Sequence, residues 1–187
     1  LHTTGWMETL RRRYPCRPDG SEVPWMNYPV IAFLERRLAP DLDLFEYGSG
    51  YSTLFFARHV RSTVSVEHDR AWHDKLQPQL PKNARLLFVE LDRDGRYCRS
   101  IHETGGSYDF VVVDGRDRVN CLRQALDRLT ARGVVLLDDS QREEYAPGIC
   151  FARERGFSAL DFEGLKPTGK VIERATLFYR RENCLGI

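Results

Sequence analysis

The sequence predicts an α/β fold, a doubly wound parallel sheet with helices on both faces. Three observations predict it. Short apolar runs alternate with segments of helical period, the pattern of strand–helix–strand units with right-handed crossovers. One run, Phe110 to Val113, is unbroken, as expected of a central parallel strand covered on both sides. The apolar runs also close on acids: Glu46, Glu67, Asp92, Asp114 and Asp138-Asp139 all fall where strands are expected to end. In open α/β sheets, ligands collect at those carboxyl ends.

Residues 1–29 read as an N-terminal arm, and residues 30–187 as a single domain with a full core. The arm is rich in Pro, Arg and Trp, and Pro15, Pro18 and Pro24 forbid a continuous helix there. Arg11, Arg12, Arg13 and Arg17 form a basic cluster, read first as a solvated arm and second as a contact for an anionic substrate. Pro29, with Ile31, Leu34 and Leu38 on one face, predicts a short amphipathic helix.

Leu42 to Asp69 is the organising stretch. Leu42, Leu44 and Phe45 run up to Glu46 as the first strand, and Gly48-Ser49-Gly50 turns the chain into a helix begun by Ser52 and Thr53. Leu54, Phe55, Ala57 and Val60 give that helix an apolar face, and Val64 and Val66 make a second strand ending at Glu67. A short helix follows over Ala71 to Leu76, stopped by Pro78 and Pro81. Strand three covers Ala84 to Leu91, then Asp92 to Gly95 make a turn; strand four ends at Asp114-Gly115. Val119, Leu122, Ala125, Leu126 and Leu129 repeat at helical spacing with Gly133 as terminator, and Val134 to Leu137 form strand five. Pro147 opens a helix closed by Gly156. The last two strands are Ala159 to Phe162 and Ala175 to Tyr179, joined by a loop with Gly164, Pro167 and Gly169.

The residue types point to a nucleoside site. Gly48 and Gly50 let the backbone turn sharply and approach a ligand closely. An acid at the tip of the second strand, about twenty residues after the turn, can accept both hydroxyls of a ribose. Glu46 would repel a pyrophosphate but attract a ligand carrying ammonium and sulfonium groups. That favours S-adenosylmethionine over NAD.

Glu46-Tyr47-Gly48-Ser49-Gly50-Tyr51-Ser52, with Val66-Glu67-His68-Asp69, resembles motif I and the acidic second-strand motif of class I S-adenosylmethionine-dependent methyltransferases, in the manner of small-molecule O-methyltransferases. Tyr108 to Asp114 resembles their strand-four motif, and Gly133 to Ser140 strand five with its loop. Ser52 stands where the common motif has a third glycine. The likeness spans roughly Val30 to Arg180 and implies a Rossmann-like, mostly parallel seven-stranded sheet in the order 3-2-1-4-5-7-6, its last-numbered strand antiparallel.

The resemblance implies cofactor-binding roles for Glu46, Gly48, Ser49, Gly50, Ser52, Glu67, His68, Asp92 and Asp114. Asp92 would meet the adenine amino group, and His68 the adenine face. Asp114 and Arg116 are the expected catalytic pair: Asp114 as base or as partner of the methionine end, Arg116 as clamp for a carboxylate or phosphate. Asp114, Asp139 and Ser140 resemble the two aspartates and asparagine that hold magnesium in catechol-type enzymes; a serine hydroxyl is a poorer ligand for a hard cation, so no metal is expected. Trp6, Trp25, Met26 and Tyr28 either cover the cofactor or cap the sheet edge. His102 is a second, weaker base candidate, and Lys166 and Lys170 border the expected acceptor site.

Composition narrows the partners. With 28 Lys+Arg against 27 Asp+Glu the net charge is +1, so nothing global argues for nucleic acid or membrane. Five cysteines without a C-x-x-C pair suggest reduced thiols and a cytoplasmic protein, and no membrane-length apolar run or signal peptide is recognisable. The expected activity is methyl transfer to an oxygen of a small polar acceptor, a sugar, glycan or other metabolite; a homodimer is an assembly the sequence allows. The competing readings are an NAD-linked oxidoreductase and a domain that binds S-adenosylmethionine without turnover.

Overall fold

The computed structural model describes residues 3–187. Helices α1 (Trp6–Arg12) and α2 (Tyr28–Arg37) precede the sheet. The chain then alternates through β1 (Asp43–Tyr47), α3 (Tyr51–Ala57), β2 (Ser62–Glu67), α4 (Arg70–Leu76), β3 (Ala84–Phe88), α5 (Arg96–Glu103), β4 (Tyr108–Val113), α6 (Arg118–Leu126), β5 (Leu129–Leu137) and α7 (Ala146–Glu154). It closes with β6 (Ser158–Gly164) and β7 (Glu173–Tyr179).

The strands form one sheet in the order β3-β2-β1-β4-β5-β7-β6, as the resemblance implies. Neighbours from β3 to β5 are parallel, and β7 runs antiparallel to both β5 and β6. The order reverses between β1 and β4, where Leu44 to Tyr47 pair with Phe110 to Val113. Loops leaving the carboxyl ends of these two strands part to opposite sides and open a crevice.

Period-two alternation assigns each strand residue to a layer. Phe45 and Tyr47, with Val111 and Val113, pack against Tyr97, Ile101, Cys121, Leu122 and Ala152 of α5, α6 and α7. Leu44, Phe110 and Val112 pack on the other face against Val30, Ile31 and Leu34 of α2 and Phe55 and Phe56 of α3. Burying each such side chain stabilises the fold by about 2 kcal/mol, so the middle of the sheet is its most strongly held part. Glu46 shares the parity of Leu44 and therefore faces α3.

The arm is more tightly joined than its composition suggests. Val23 and Met26 are buried in the α2–α3 layer, and α2 begins at Tyr28, just before the expected boundary. Asn27 caps α2, its Oδ1 accepting from Val30 N–H at 3.0 Å while its amide donates to the Phe162 carbonyl at 2.9 Å. Two elements depart from expectation. Helix α5 occupies a stretch to which the sequence reading assigns no element; Asp92 starts it by accepting the Arg96 and Tyr97 N–H groups. Strand β5 begins at Leu129, so Leu129 leaves the helix and Gly133 lies inside a strand, where a Cβ would come within 2.8 Å of the Tyr108 carbonyl. Among the described residues no helix is long and apolar enough to cross a membrane.

Candidate functional site

The crevice is floored by two glycine turns in backbone contact. Gly48 has φ 90°, and a Cβ there would meet the Gly115 backbone at 3.0 Å. Its N–H donates to the Val66 carbonyl at 3.0 Å, tying the turn after β1 to β2. Gly50 gives α3 its first backbone position, its N–H donating to Thr53 Oγ1 at 3.1 Å. Trp72 of α4 folds over this turn and donates from Nε1 to the Ser49 carbonyl at 2.9 Å. Ser49, Gly50, Tyr51, Ser52, Trp72 and Asp114 line a cavity of about 330 Å³, roofed by Arg13, Pro15 and Trp25 of the arm. Of the arm side chains expected to cover a ligand, Trp25 does line the cavity, whereas Met26 is sealed in the core.

Glu46 is not at the surface of the turn. It is 1% exposed and lies beneath it, accepting from Thr53 Oγ1 at 2.6 Å, Ser65 Oγ at 2.7 Å and the Ser52 hydroxyl. Burial pushes its carboxyl up to about 7 despite those three donors, with the charge of Glu67 adding to the effect. The expected direct attraction between Glu46 and a cationic ligand is corrected: Glu46 and Ser52 act together to hold the turn from below. Period-two parity placed the carboxylate inward.

Glu67 ends β2 beside the turn. Its Oε1 accepts the His68 and Asp69 N–H groups, both at 2.8 Å, and its Oε2 accepts from Ser49 Oγ at 2.8 Å. His68 stands edge-on to Tyr97, ring centroids 6.0 Å apart, and its Nδ1 lies 2.9 Å from Glu67 Oε1 without the alignment of a hydrogen bond. Asp92 is exposed and both its oxygens are engaged by the first turn of α5, which holds its carboxyl below the usual range. Its expected meeting with an adenine amino group would have to share oxygens already serving that helix.

Asp114 follows β4 and borders the cavity. Its Oδ1 accepts from Arg118 Nη2 at 2.9 Å. Burial raises its carboxyl, and the charges of Asp139 and Glu46 push the same way against Arg118 and Lys166. Arg118 bridges two strand ends: it also donates to the carbonyls of Gly115 at 3.0 Å and Asp138 at 2.6 Å. Arg116 is exposed and lines a second cavity of about 570 Å³ with Arg93, Arg142, Asn120 and Tyr145. His102 is carried by α5 and pairs with Gln124 at 2.8 Å, away from both cavities; it is no base candidate.

The acids after β5 differ from the expected trio. Asp114, Asp138 and Asp139 each offer an oxygen within 4.8 Å of the others. Ser140 is instead turned towards β7, accepting from Thr176 Oγ1 at 2.7 Å, so Asp138 takes the place given to Ser140. Lys166, from the loop between β6 and β7, reaches Asp138 Oδ2 at 2.6 Å and also bonds Asp139. Nothing local in the sequence marks that contact, made across 28 residues.

A family profile described as "Methyltransferase domain" matches residues 45–140, just over half of the chain. Curated protein sequences return no match. Among solved structures, the O-methyltransferase TomG from Streptomyces achromogenes, involved in tomaymycin synthesis and in complex with SAM, has TM-score 0.63 and 17% identity over 95% of this chain and 88% of its own. An O-methyltransferase from Bacillus cereus in complex with SAH has TM-score 0.63 and 16% identity over 95% and 91%. A precorrin-8w decarboxylase from Methanobacterium thermoautotrophicum has TM-score 0.62 and 16% identity over 90% and 96%. At such identities these likenesses speak for the fold alone. The matched profile covers β1, the glycine turn, Glu67, Asp114 and the acids after β5, and with it the chain belongs to the methyltransferase-domain family, in the class I, S-adenosylmethionine-dependent form.

Proposed function

We propose that the chain transfers the methyl group of S-adenosylmethionine to an oxygen of a small polar acceptor bearing an anionic group, such as a sugar or glycan derivative or another small metabolite. The observation that carries this reading is the placement of Asp114, a partly covered carboxylate with raised basicity, on the cavity beside the glycine turn. Two O-methyltransferases of the same fold in complex with SAM or SAH support the choice of donor and of oxygen.

The residues fit the donor. Glu67 carries the one acid at the tip of β2, and the hydroxyl of Ser49 on its Oε2 is the kind of partner a ribose hydroxyl would replace. His68 Nδ1, buried without a hydrogen-bond partner among the described residues, offers a polar contact beside it. Gly50 leaves the cavity wall open: a Cβ there would approach only Trp72, at 3.8 Å.

Bound S-adenosylmethionine supplies a methyl on a positive sulfur; as the acceptor O–CH₃ bond forms, the S–CH₃ bond breaks and its electron pair stays on sulfur. Asp114 accepts the proton of the acceptor hydroxyl, so the alkoxide charge never develops fully. Arg118 keeps one Asp114 oxygen fixed and leaves the other for that proton. Trp72 and Trp25 narrow the cavity against water. Arg116 and Arg93, exposed on the second cavity, hold the anionic group of the acceptor.

The test is a screen of hydroxylated anionic metabolites with labelled S-adenosylmethionine, run on the wild type and on Asp114→Asn. Transfer to an oxygen that falls by about 10² or more in the variant supports the reading. Transfer only to nitrogen, or equal turnover in the variant, refutes it.

A further inference from the structure

The cluster formed by Asp114, Asp138 and Asp139 sits where catechol-type enzymes, by the resemblance above, hold magnesium. A hard divalent ion needs oxygen ligands in near-octahedral array with room for water. That position already contains a cation. Lys166 Nζ lies 2.6 Å from Asp138 Oδ2, bonds Asp139 directly and stands 4.0 Å from Glu173 Oε2. Its side chain is 9% exposed, so the ammonium is inside the cluster rather than passing over it.

Several independent features hold it there. Asp139 adopts a left-handed backbone, φ 55°, a conformation aspartate tolerates better than most residues. The Leu165 carbonyl accepts from Tyr28 N–H at 3.0 Å, and the Lys166 carbonyl from Gly169 N–H at 2.8 Å, so both sides of Lys166 are tied down. A Cβ on Gly169 would come within 3.0 Å of the Lys166 nitrogen, so the loop closes tightly behind it. Asp138 is fully buried, and its Oδ1 has no hydrogen-bond partner among the described residues. Arg118 pairs with Asp114 at 2.9 Å and Asp139 at 3.4 Å, and Arg142 with Asp139 at 2.7 Å, so among the described residues Lys166 is the one side-chain cation on Asp138.

We infer that Lys166 is a built-in cation that takes the place of a divalent ion beside Asp114, so that this methyltransferase works without a bound metal and the magnesium site does not form while Lys166 is present. The inference rests on the reading of Asp114 as the acceptor end of the site. Its chemistry is simple: an ammonium delivered by the β6–β7 loop balances carboxylates that would otherwise repel one another and a nearby alkoxide. Removing the ammonium leaves Arg118 on Asp114 and Asp139 and Arg142 on Asp139, but strips Asp138 of its cation within 4.8 Å of the other two carboxylates, which opens a place for a hard cation.

The experiment is a titration of Mn²⁺ followed by electron paramagnetic resonance, on the wild type, on Asp138→Asn, on Lys166→Met and on Lys166→Met with Asp138→Asn. S-adenosylhomocysteine binding by calorimetry is measured in the same samples. The wild type is expected to leave the free-ion signal unchanged, Lys166→Met to remove it up to one ion per chain, and the double variant to restore it. Ion uptake by the wild type that is lost on Asp138→Asn overturns the inference, as does a folded Lys166→Met that takes up no ion. Should Lys166→Met fail to fold, the wild type and Asp138→Asn decide by the same criterion: uptake by the wild type that Asp138→Asn loses overturns the inference, and no uptake by the wild type supports it. Loss of S-adenosylhomocysteine binding in the wild type would strike at the proposed function instead, which keeps the two failures apart.

Discussion

Replacing Glu46 with glutamine tests whether that residue supports the turn from beneath or meets the ligand. The side chain is 1% exposed and its carboxyl moves on folding from the usual 4.5 to about 7. A raised carboxyl pKa means that the native chain binds its proton more tightly than the unfolded chain does. The stability this gives is fully present below the unfolded value and is lost as pH rises through the folded one. Across that interval the wild type should lose about 3 kcal/mol that the variant does not lose. Glutamine cannot accept from all three hydroxyls of Ser52, Thr53 and Ser65, so the variant carries its own offset. That offset does not vary with pH, and the comparison rests on the difference in slope. Urea denaturation of both proteins at about pH 5 and about pH 8 measures it. Parallel pH profiles would refute the buried position of Glu46. So would a wild type that gains stability relative to the variant as pH rises.

Other substitutions probe separate parts of the site. Gly48→Ala places a side chain at φ 90° and a Cβ 3.0 Å from Gly115, and should cost about 2 kcal/mol or more, read as a lowered melting temperature. Arg116→Ala should raise KM for anionic acceptors about tenfold, with kcat and S-adenosylhomocysteine affinity nearly unchanged; an equal effect on a neutral acceptor would remove the clamp from the account. Trp72→Ala removes the indole that bonds the Ser49 carbonyl and should weaken S-adenosylhomocysteine binding by a few-fold to about tenfold in calorimetry, since that bond is neutral and partly buried.

The sheet was legible in the sequence because its central strands β4 and β5 end in unbroken apolar runs buried on both faces and are followed by turns. Phe110 to Val113 could be little else, and the order of the strands followed from the family likeness. Helix α5 was hidden because four of its eight residues are charged or histidine, although Tyr97, Cys98 and Ile101 carry a helical spacing that an unbroken scan could have caught. Gly133 misled for a different reason: a glycine after a periodic segment reads as a helix stop, whereas here it lets β5 pass close to Tyr108. Glu46 was found but its direction was misjudged. Distance along the chain from the glycine turn suggested a ligand contact, while strand parity and the hydroxyls of Ser52, Thr53 and Ser65 pointed it inward. The Lys166 contact with Asp138 and Asp139 and the Arg118 bridge depend on which strand ends adjoin in space, and no local pattern reports that.

The central claim is that the acid at the tip of β2 and the glycine turn beside it form the donor site. Calorimetric titration of S-adenosylhomocysteine into the wild type and into Glu67→Ala tests it most directly. The account predicts saturable binding of one molecule per wild-type chain, and affinity lower by about 10- to 100-fold in the variant, the worth of hydrogen bonds to a charged acceptor. Equal affinity in the two proteins, or no binding to the wild type, would contradict it.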